Sequence, residues 1–471
     1  MTYLISLFLV LFFTASEFVL ATPHYDQNKL PKIESLNSKT KYSFPDEKKI
    51  KSLLGQEVVR VNVAWSYEKD SYEFKSMITE KSGTMALIAR SANKDTMGSF
   101  HGELTYEDGS KAYDSVGTGV IYKYLTRAAS FRFPKKTSKA AHFKLIAEDE
   151  KTGSMLTEID KSLSKIMPDV VSLKNKLDIR LIKKSPKKNK IIITIYAEDY
   201  DDTEKDKTRF FTAAKKAVSE LSSKSNIPNL EHFQYYAVFA ASKEKISNKM
   251  PRGYSAGDPV KFKNSFLGLQ HPYWREFGRW YHVVYPTSES HFRNALGQVK
   301  YDYPLVLVKS SSYWGVGNFN ALTAIPDKNR NFTYLLLHEF GHFLGPNEEY
   351  EEGPSGRTEL EFSTNLHEPW SPNMTFARDG LASLKWKHHL KPNTPLPTSG
   401  RRFSIGAFEG GYAGSIYHIV GATNYKPSQS CVMGVFTNDF CSVCVEGLDH
   451  KIKFDLGISN TKKRLKNNHA H

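Results

Sequence analysis

The sequence predicts two architectures in one chain: an all-β sandwich, then an α/β domain. Three observations carry that prediction. Residues 46–157 break into short β-rich runs with turn signals between them. Ile191 to Tyr196 is a β-branched run of the kind that fills a buried central strand, and a helix pattern follows it. Further on, an apolar lead-in from Tyr334 to Leu337 runs into a helix carrying His338, Glu339 and His342.

In the first part, Val58 to Trp65 partly alternates, and Ala86 to Ala89 is a short apolar run. Gly102 to Tyr106 leads into a Glu-Asp-Gly turn at 107–109, a hairpin signal. Ala129 to Pro134 and His142 to Ala147 read as further strands. Residues 158–188 read as a linker, ending among the lysines between Lys183 and Lys190.

The α/β domain is expected over 189–457. Thr203 can cap a helix running to about Ser222, with Glu204 and Asp206 in its first turn. His232 to Ala241 and Pro304 to Val308 supply more strands, and Ser288 to Leu296 looks helical. Between them, Ser242 to Tyr285 is irregular and aromatic, either a loop over a site or a satellite cluster. Ser310 to Asn318 could be an edge against which an extended peptide pairs. Trp370 and Trp386 are expected core anchors of a loop-rich stretch, and a last helix begins near Phe440.

At 471 residues, 40% hydrophobic and 13% aromatic, the chain is long and apolar enough for sizeable cores. Leu4 to Phe13 is an apolar run too short to span a bilayer, and Val19-Leu20-Ala21 ends in a small residue. This predicts a signal peptide over 1–21, a leader over 22–45, and a secreted, extracellular protein. No later stretch reads as a membrane span, and a monomer is expected. The formal charge is +15, but the lysines are scattered and no nucleic-acid module is present, so nucleic acid is not an expected partner. Residues 458–471 read as a basic tail.

There are three cysteines, Cys431, Cys441 and Cys444. In an exported protein the odd count predicts one disulfide, Cys431 with Cys441 or Cys444, and one thiol left over. Three thiolates with no fourth ligand nearby argue against a structural zinc. Asn331 and Asn373 each begin a glycosylation sequon.

The chemistry sits at His338-Glu339-Phe340-Gly341-His342. Residues four apart share a helix face, so two imidazoles can hold one metal ion while Glu339 lies beside it as a proton acceptor. Gly345 and Pro346 stop the helix, and the chain turns back with Glu348 and Glu349, either of which can supply a third ligand. The reading is one zinc ion on His338, His342 and Glu348, with Glu349 the second choice. In metzincin zinc peptidases the glycine falls seven and the third ligand ten residues after the first histidine. Gly345 and Glu348 stand at those distances, and Met433 in Ser430 to Gly434 is a candidate for the methionine turn.

The wider pattern resembles the IgA-specific metallopeptidase family. The matching stretches are Ile195 to Tyr200, Thr203 to Lys207, Tyr303 to Tyr313, the metal motif, Ser371 to Thr375, Leu384 to Lys387, Gly406 to Tyr412 and Tyr425 to Leu448. The resemblance implies an exported zinc endopeptidase acting on a protein or peptide, with a metzincin-like catalytic domain behind a β-domain. Two departures stand out. The family usually has one more residue before an Asp-Glu-Tyr, where this chain has Glu348. Astacin-type members place an oxyanion-supporting tyrosine two residues after the methionine, where this chain has Val435; Tyr425 and Tyr412 are the substitutes. These departures keep open a second reading, a binding protein that retains the metal shell without turnover.

Overall fold

The computed structural model describes residues 54–66, 69, 71–117, 128–148, 155–163, 165–170, 177–246, 265–270, 275–276, 279–280, 284–350, 368–377, 380–410 and 425–458. The expected signal peptide and leader, the expected basic tail beyond Ile458, and Tyr412 lie outside these residues.

The N-terminal part is built from β1 (Gln56–Ser66), β2 (Ser71–Gly83), α1 (Met85–Ser91), β3 (Phe100–Tyr106), β4 (Lys111–Val116), β5 (Ala128–Pro134), β6 (Ala140–Glu148), β7 (Met155–Ser162) and β8 (Asp169–Val170). They form two four-stranded sheets, ordered β5-β1-β2-β8 and β4-β3-β6-β7. The Glu-Asp-Gly turn joins β3 to β4, with the Gly109 N–H on the Tyr106 carbonyl at 2.9 Å. Alternate residues Val59, Val61 and Val63 of β1 enter one apolar cluster with Phe131 and Phe133 of the same sheet and Leu104, Phe143 and Leu145 of the other. The two sheets therefore share a core.

One run departs from the strand expectation. Ala86 to Ala89 lies in α1, capped by Thr84, whose hydroxyl accepts the Leu87 N–H at 3.0 Å. An apolar run this short does not decide between helix and strand by itself. The capping hydroxyl and packing decide it, since Ala86 joins the C-terminal core.

The stretch read as a linker is also corrected. Part of it is β7, and β9 (Asp178–Lys183) is an edge strand of the C-terminal sheet. That sheet continues with β10 (Ile191–Glu198), α2 (Glu204–Ser223), β11 (Phe233–Phe239), α3 (Glu289–Leu296), β12 (Tyr303–Val308), β13 (Val316–Asn318), β14 (Leu322–Pro326), α4 (Phe332–Leu344) and α5 (Ser442–Asp455). The order is β13-β14-β12-β10-β11-β9. The central pairings are parallel, and β13 and β9 pair antiparallel at the two edges.

The strand β10 is buried along its whole length. Ile191, Ile193, Ile195 and Ala197 face a cluster with α2, α4 and α5, while Tyr196 faces the opposite cluster with Phe292 and Leu296 of α3. Burial on both faces explains why the run is continuously apolar. Helix α2 starts where the sequence placed it, with the Thr203 hydroxyl accepting the Asp206 N–H at 3.2 Å. Trp386 is a core anchor, its indole N–H donating to the Gly406 carbonyl at 2.7 Å. Among the described residues, no helix is long and apolar enough to cross a membrane.

Polar side chains join the two parts. Fully buried Arg60 in β1 pairs with Glu80 at 3.0 Å and donates to Asn62 at 2.8 Å and to Asn294 of α3. Arg132 of β5 donates to the Tyr301 carbonyl at 2.9 Å and lies over the Tyr301 ring at 3.7 Å. The Thr84 hydroxyl bonds Asp302, whose other oxygen accepts the Ile192 N–H at 2.8 Å. Each buried charge here has a partner, as burial of ions requires.

Candidate metal centre

Helix α4 is apolar along most of its surface because it is packed between the sheet and α5. Gly345 ends it in a left-handed conformation (φ 120°), its N–H on the Gly341 and His342 carbonyls. The four-residue spacing brings His338 Nε2 and His342 Nε2 to 3.2 Å. Each ring uses its other nitrogen on a carbonyl: His338 Nδ1 donates to Val432 O at 2.9 Å, and His342 Nδ1 to Pro346 O at 3.0 Å. Both Nε2 lone pairs are thus turned towards one point. Glu348 Oε1 lies 3.5 Å from His342 Nε2, completing a set of three donors.

The spacing suits a metal. Tetrahedral bonds of about 2.0–2.1 Å place two nitrogens about 3.3–3.4 Å apart. Two imidazole lone pairs at 3.2 Å repel unless a positive charge lies between them. The three groups also couple to one another when no metal is bound. Burial, reinforced by His342, pulls the His338 imidazole down to about 4. Burial also acts to lower His342, but the Glu348 hydrogen bond and charge outweigh it and lift the ring above its ordinary value. Burial acts to raise Glu348, and His342 outweighs it and holds the carboxyl below its ordinary value. Without a metal, His342 and Glu348 thus favour an ion pair.

Glu339 turns from the donor pair towards Gly315. Burial pushes its carboxyl up to about 8. A side chain at Gly315 would collide with the Glu339 carboxylate, so the loop before β13 can lie on it only without a Cβ. The strand β13 is an edge of the sheet, and Gly317 backs onto the same helix.

Met433 forms the floor. It is fully buried, and its sulfur would lie 2.6 Å from a Cβ at Gly341, between the two histidines. The tight turn that carries it is closed by the Gly434 and Val435 N–H groups on the Cys431 carbonyl, each at 2.9 Å.

The structure separates the two glutamates that the sequence left as alternatives. Glu348 faces His342. Glu349 is completely buried, turned the other way towards Cys441 and Cys444. The expected disulfide is absent: all three cysteines are free thiols, and the Cys431 and Cys444 sulfurs are 3.7 Å apart. A disulfide requires about 2.05 Å. Asn373, one of the two sequon asparagines, is fully buried, and its amide N–H groups are donated to Asn347 O at 2.7 Å and Glu349 Oε1 at 3.0 Å. That nitrogen has no room for a glycan.

Tyr425 is not brought to the centre among the described contacts. Its backbone pairs with Thr375 and its side chain packs on the core cluster. Other tyrosines stand nearer. The Tyr350 ring stacks on His338 with centroids 6.0 Å apart, and Tyr334 lies 5.3 Å from the same ring. The half-exposed Tyr313 hydroxyl is raised by burial and then by the charge of Glu339. Tyr334 also follows from helical spacing, four residues before His338. Tyr313 and Tyr350 meet the centre only through the fold. Exposed Phe436 packs on Tyr334 at 4.5 Å and on Tyr313 at 6.2 Å, so an aromatic wall stands beside the donors.

Residues 179–404 match the family model described as IgA Peptidase M64. The match includes α4 and both glutamates and ends before the Met433 turn and the cysteines. No curated protein matches the chain.

Proposed function

We propose, from the premise that residues 179–404 belong to the IgA Peptidase M64 family, that this peptidase is a zinc-dependent endopeptidase exported from the cell. The observation that carries the metal assignment is the convergence of His338 Nε2, His342 Nε2 and Glu348 on one point, with Glu339 beside them. Three protein donors and an open fourth position suit a catalytic zinc rather than a structural one. We also read the mixed sheet, with its antiparallel edge β13 and the Met433 turn under α4, as metzincin-like, and the two N-terminal sheets as a β-sandwich.

Zinc held by these donors supplies Lewis acidity, polarising the scissile carbonyl and acidifying a water at the open position. The chain's own groups do the rest. An extended substrate pairs with the free edge of β13, which brings its carbonyl over the helix. Glu339 accepts the proton of the attacking water and returns it to the leaving amine. Its buried carboxylate, raised in the metal-free group, is a stronger base than an exposed one. Tyr313 or Tyr350, rather than Tyr425, is placed to donate to the developing oxyanion. The Val432 and Pro346 carbonyls hold the two imidazoles in the tautomer that leaves Nε2 free.

The test is cleavage-site mapping by mass spectrometry in a protein mixture, with the full secreted chain. Chelator should abolish the cleavages and zinc should restore them. Stoichiometric zinc with no cleavage at any pH would leave only the binding-protein reading.

A further inference from the structure

The cysteine cluster asks for an explanation that the peptidase reading does not supply. Cys431, Cys441 and Cys444 converge with Glu349, so that one ligand atom from each lies within 4.8 Å of the others. Glu349 is fully buried, and its Oε2 has no hydrogen-bond partner among the described residues. Its Oε1 is the oxygen beside the Cys441 and Cys444 sulfurs, and a buried carboxylate with one oxygen unpartnered is costly unless a cation joins the group.

We propose that Cys431, Cys441, Cys444 and Glu349 form a second, structural zinc site. Three sulfurs and one carboxylate oxygen make the closed four-donor set that structural zinc takes. The spacings fit it. Zinc–sulfur bonds of about 2.3 Å place tetrahedral sulfurs about 3.8 Å apart, and a carboxylate oxygen at about 2.0–2.2 Å sits about 3.5–3.6 Å from each sulfur. Cys431 and Cys444 sulfurs are 3.7 Å apart, and Glu349 Oε1 is 3.3 Å from Cys444 and 3.8 Å from Cys441.

Hydrogen-bond donors reach a sulfur, a carboxylate oxygen and the backbone of the cluster. The Cys441 N–H donates to the Cys431 sulfur at 3.3 Å, and Asn373 Nδ2 donates to Glu349 Oε1 at 3.0 Å. Lys426 Nζ donates to the Glu349 carbonyl oxygen. Cys441 caps α5 and Cys444 lies in its first turn, where the helix dipole stabilises negative charge. Binding releases the thiol protons to solvent and changes no oxidation state. All three cysteines are used, so no odd thiol is left over.

The site also has a task. It ties together the segment bearing Glu348, the turn bearing Val432 and Met433, and the start of α5. Glu349 N–H donates to Met433 O at 2.8 Å, in line with that tie. The second metal therefore positions Glu348 and, through Val432, His338. It lies outside the catalytic donors, and its existence does not depend on what the peptidase cleaves.

The test is elemental analysis of the purified full chain together with a His338→Ala/His342→Ala variant. We expect two zinc per parent chain and one in the variant. Cobalt exchanged into the variant should give an intense near-ultraviolet sulfur-to-cobalt band. A Glu349→Gln variant should lose that metal to a competing chelator at least tenfold faster; Cys444→Ser serves as a second probe if it folds. One zinc in the parent and none in the histidine variant overturns the proposal. So does a native mass two hydrogens low after alkylation, which would mean a disulfide.

Discussion

Glu348 and Glu349 are neighbours in the chain and serve opposite sides of it. The Glu348 side is half open: His342 and Glu348 keep some exposure, and Tyr313 and Phe436 reach solvent beside them. The Glu349 side is closed, with Cys431, Cys444 and Glu349 at or near zero exposure. Nitrogen and oxygen donors with an open position suit turnover, while sulfur donors sealed from water suit permanence. The difference teaches that one peptide bond separates a group selected for access from a group selected for enclosure, and that the second holds the first in place.

The sharpest way to break that comparison is Glu339→Gln, which should keep both metals and lower kcat by about 10²–10⁴-fold, the range for a lost general base. An unchanged kcat with intact zinc would remove Glu339 from the mechanism. Next comes the enclosed side. Glu349→Gln should lower kcat/KM by about 10–100-fold, the usual effect of losing support behind catalytic ligands, although it touches no substrate. If the two sides are independent, activity measured at saturating zinc will not change.

A smaller effect is expected on the open side away from the donors. Phe436→Ala should raise KM for substrates with an apolar side chain by about 10-fold at most, with kcat little altered. Peptide libraries compared between parent and variant would measure it.

A third buried glutamate sharpens the contrast because it has no metal-ligating neighbours. Glu198 is held by Ser265 Oγ and by the Leu267 and Leu269 N–H groups, and burial pushes its carboxyl up to about 8. The folded chain then keeps a proton that the unfolded chain loses above its ordinary value near 4.5. Stability from this group is complete below that pH and falls as pH rises towards about 8. Glu198→Gln should flatten that decline in denaturant midpoints between pH 5 and 8 while zinc content stays constant. A parent and variant with parallel pH profiles would mean that Glu198 is ionised in the fold.

The open centre was legible in the sequence because its geometry is local. His338 and His342 share a helix face by spacing alone, and Gly345 marks the end of that helix. Strand β10 and helix α2 were legible for the same reason. The enclosed cluster was not, because Glu349 meets Cys441 and Cys444 across 92 and 95 residues of chain. Counting cysteines without that glutamate leaves a disulfide as the natural expectation. Helix α1 was missed because a four-residue apolar run takes its form from what it packs against. Strand β9 was missed because an edge strand rich in charge has no period of its own.

The Arg60, Arg132 and Thr84 contacts have a consequence for how this molecule can be handled or can have arisen. A modular enzyme tolerates being cut at its boundaries, because little crosses them. Here, excising the N-terminal sheets would leave Asn294 without Arg60, Asp302 without Thr84 and the Tyr301 ring without Arg132 over it, while Arg60 and Arg132 would leave with the discarded piece. Cutting the chain at that boundary therefore strands buried polar groups on both pieces and should destabilise the α/β half. It should express poorly alone and unfold together with the sheets that precede it.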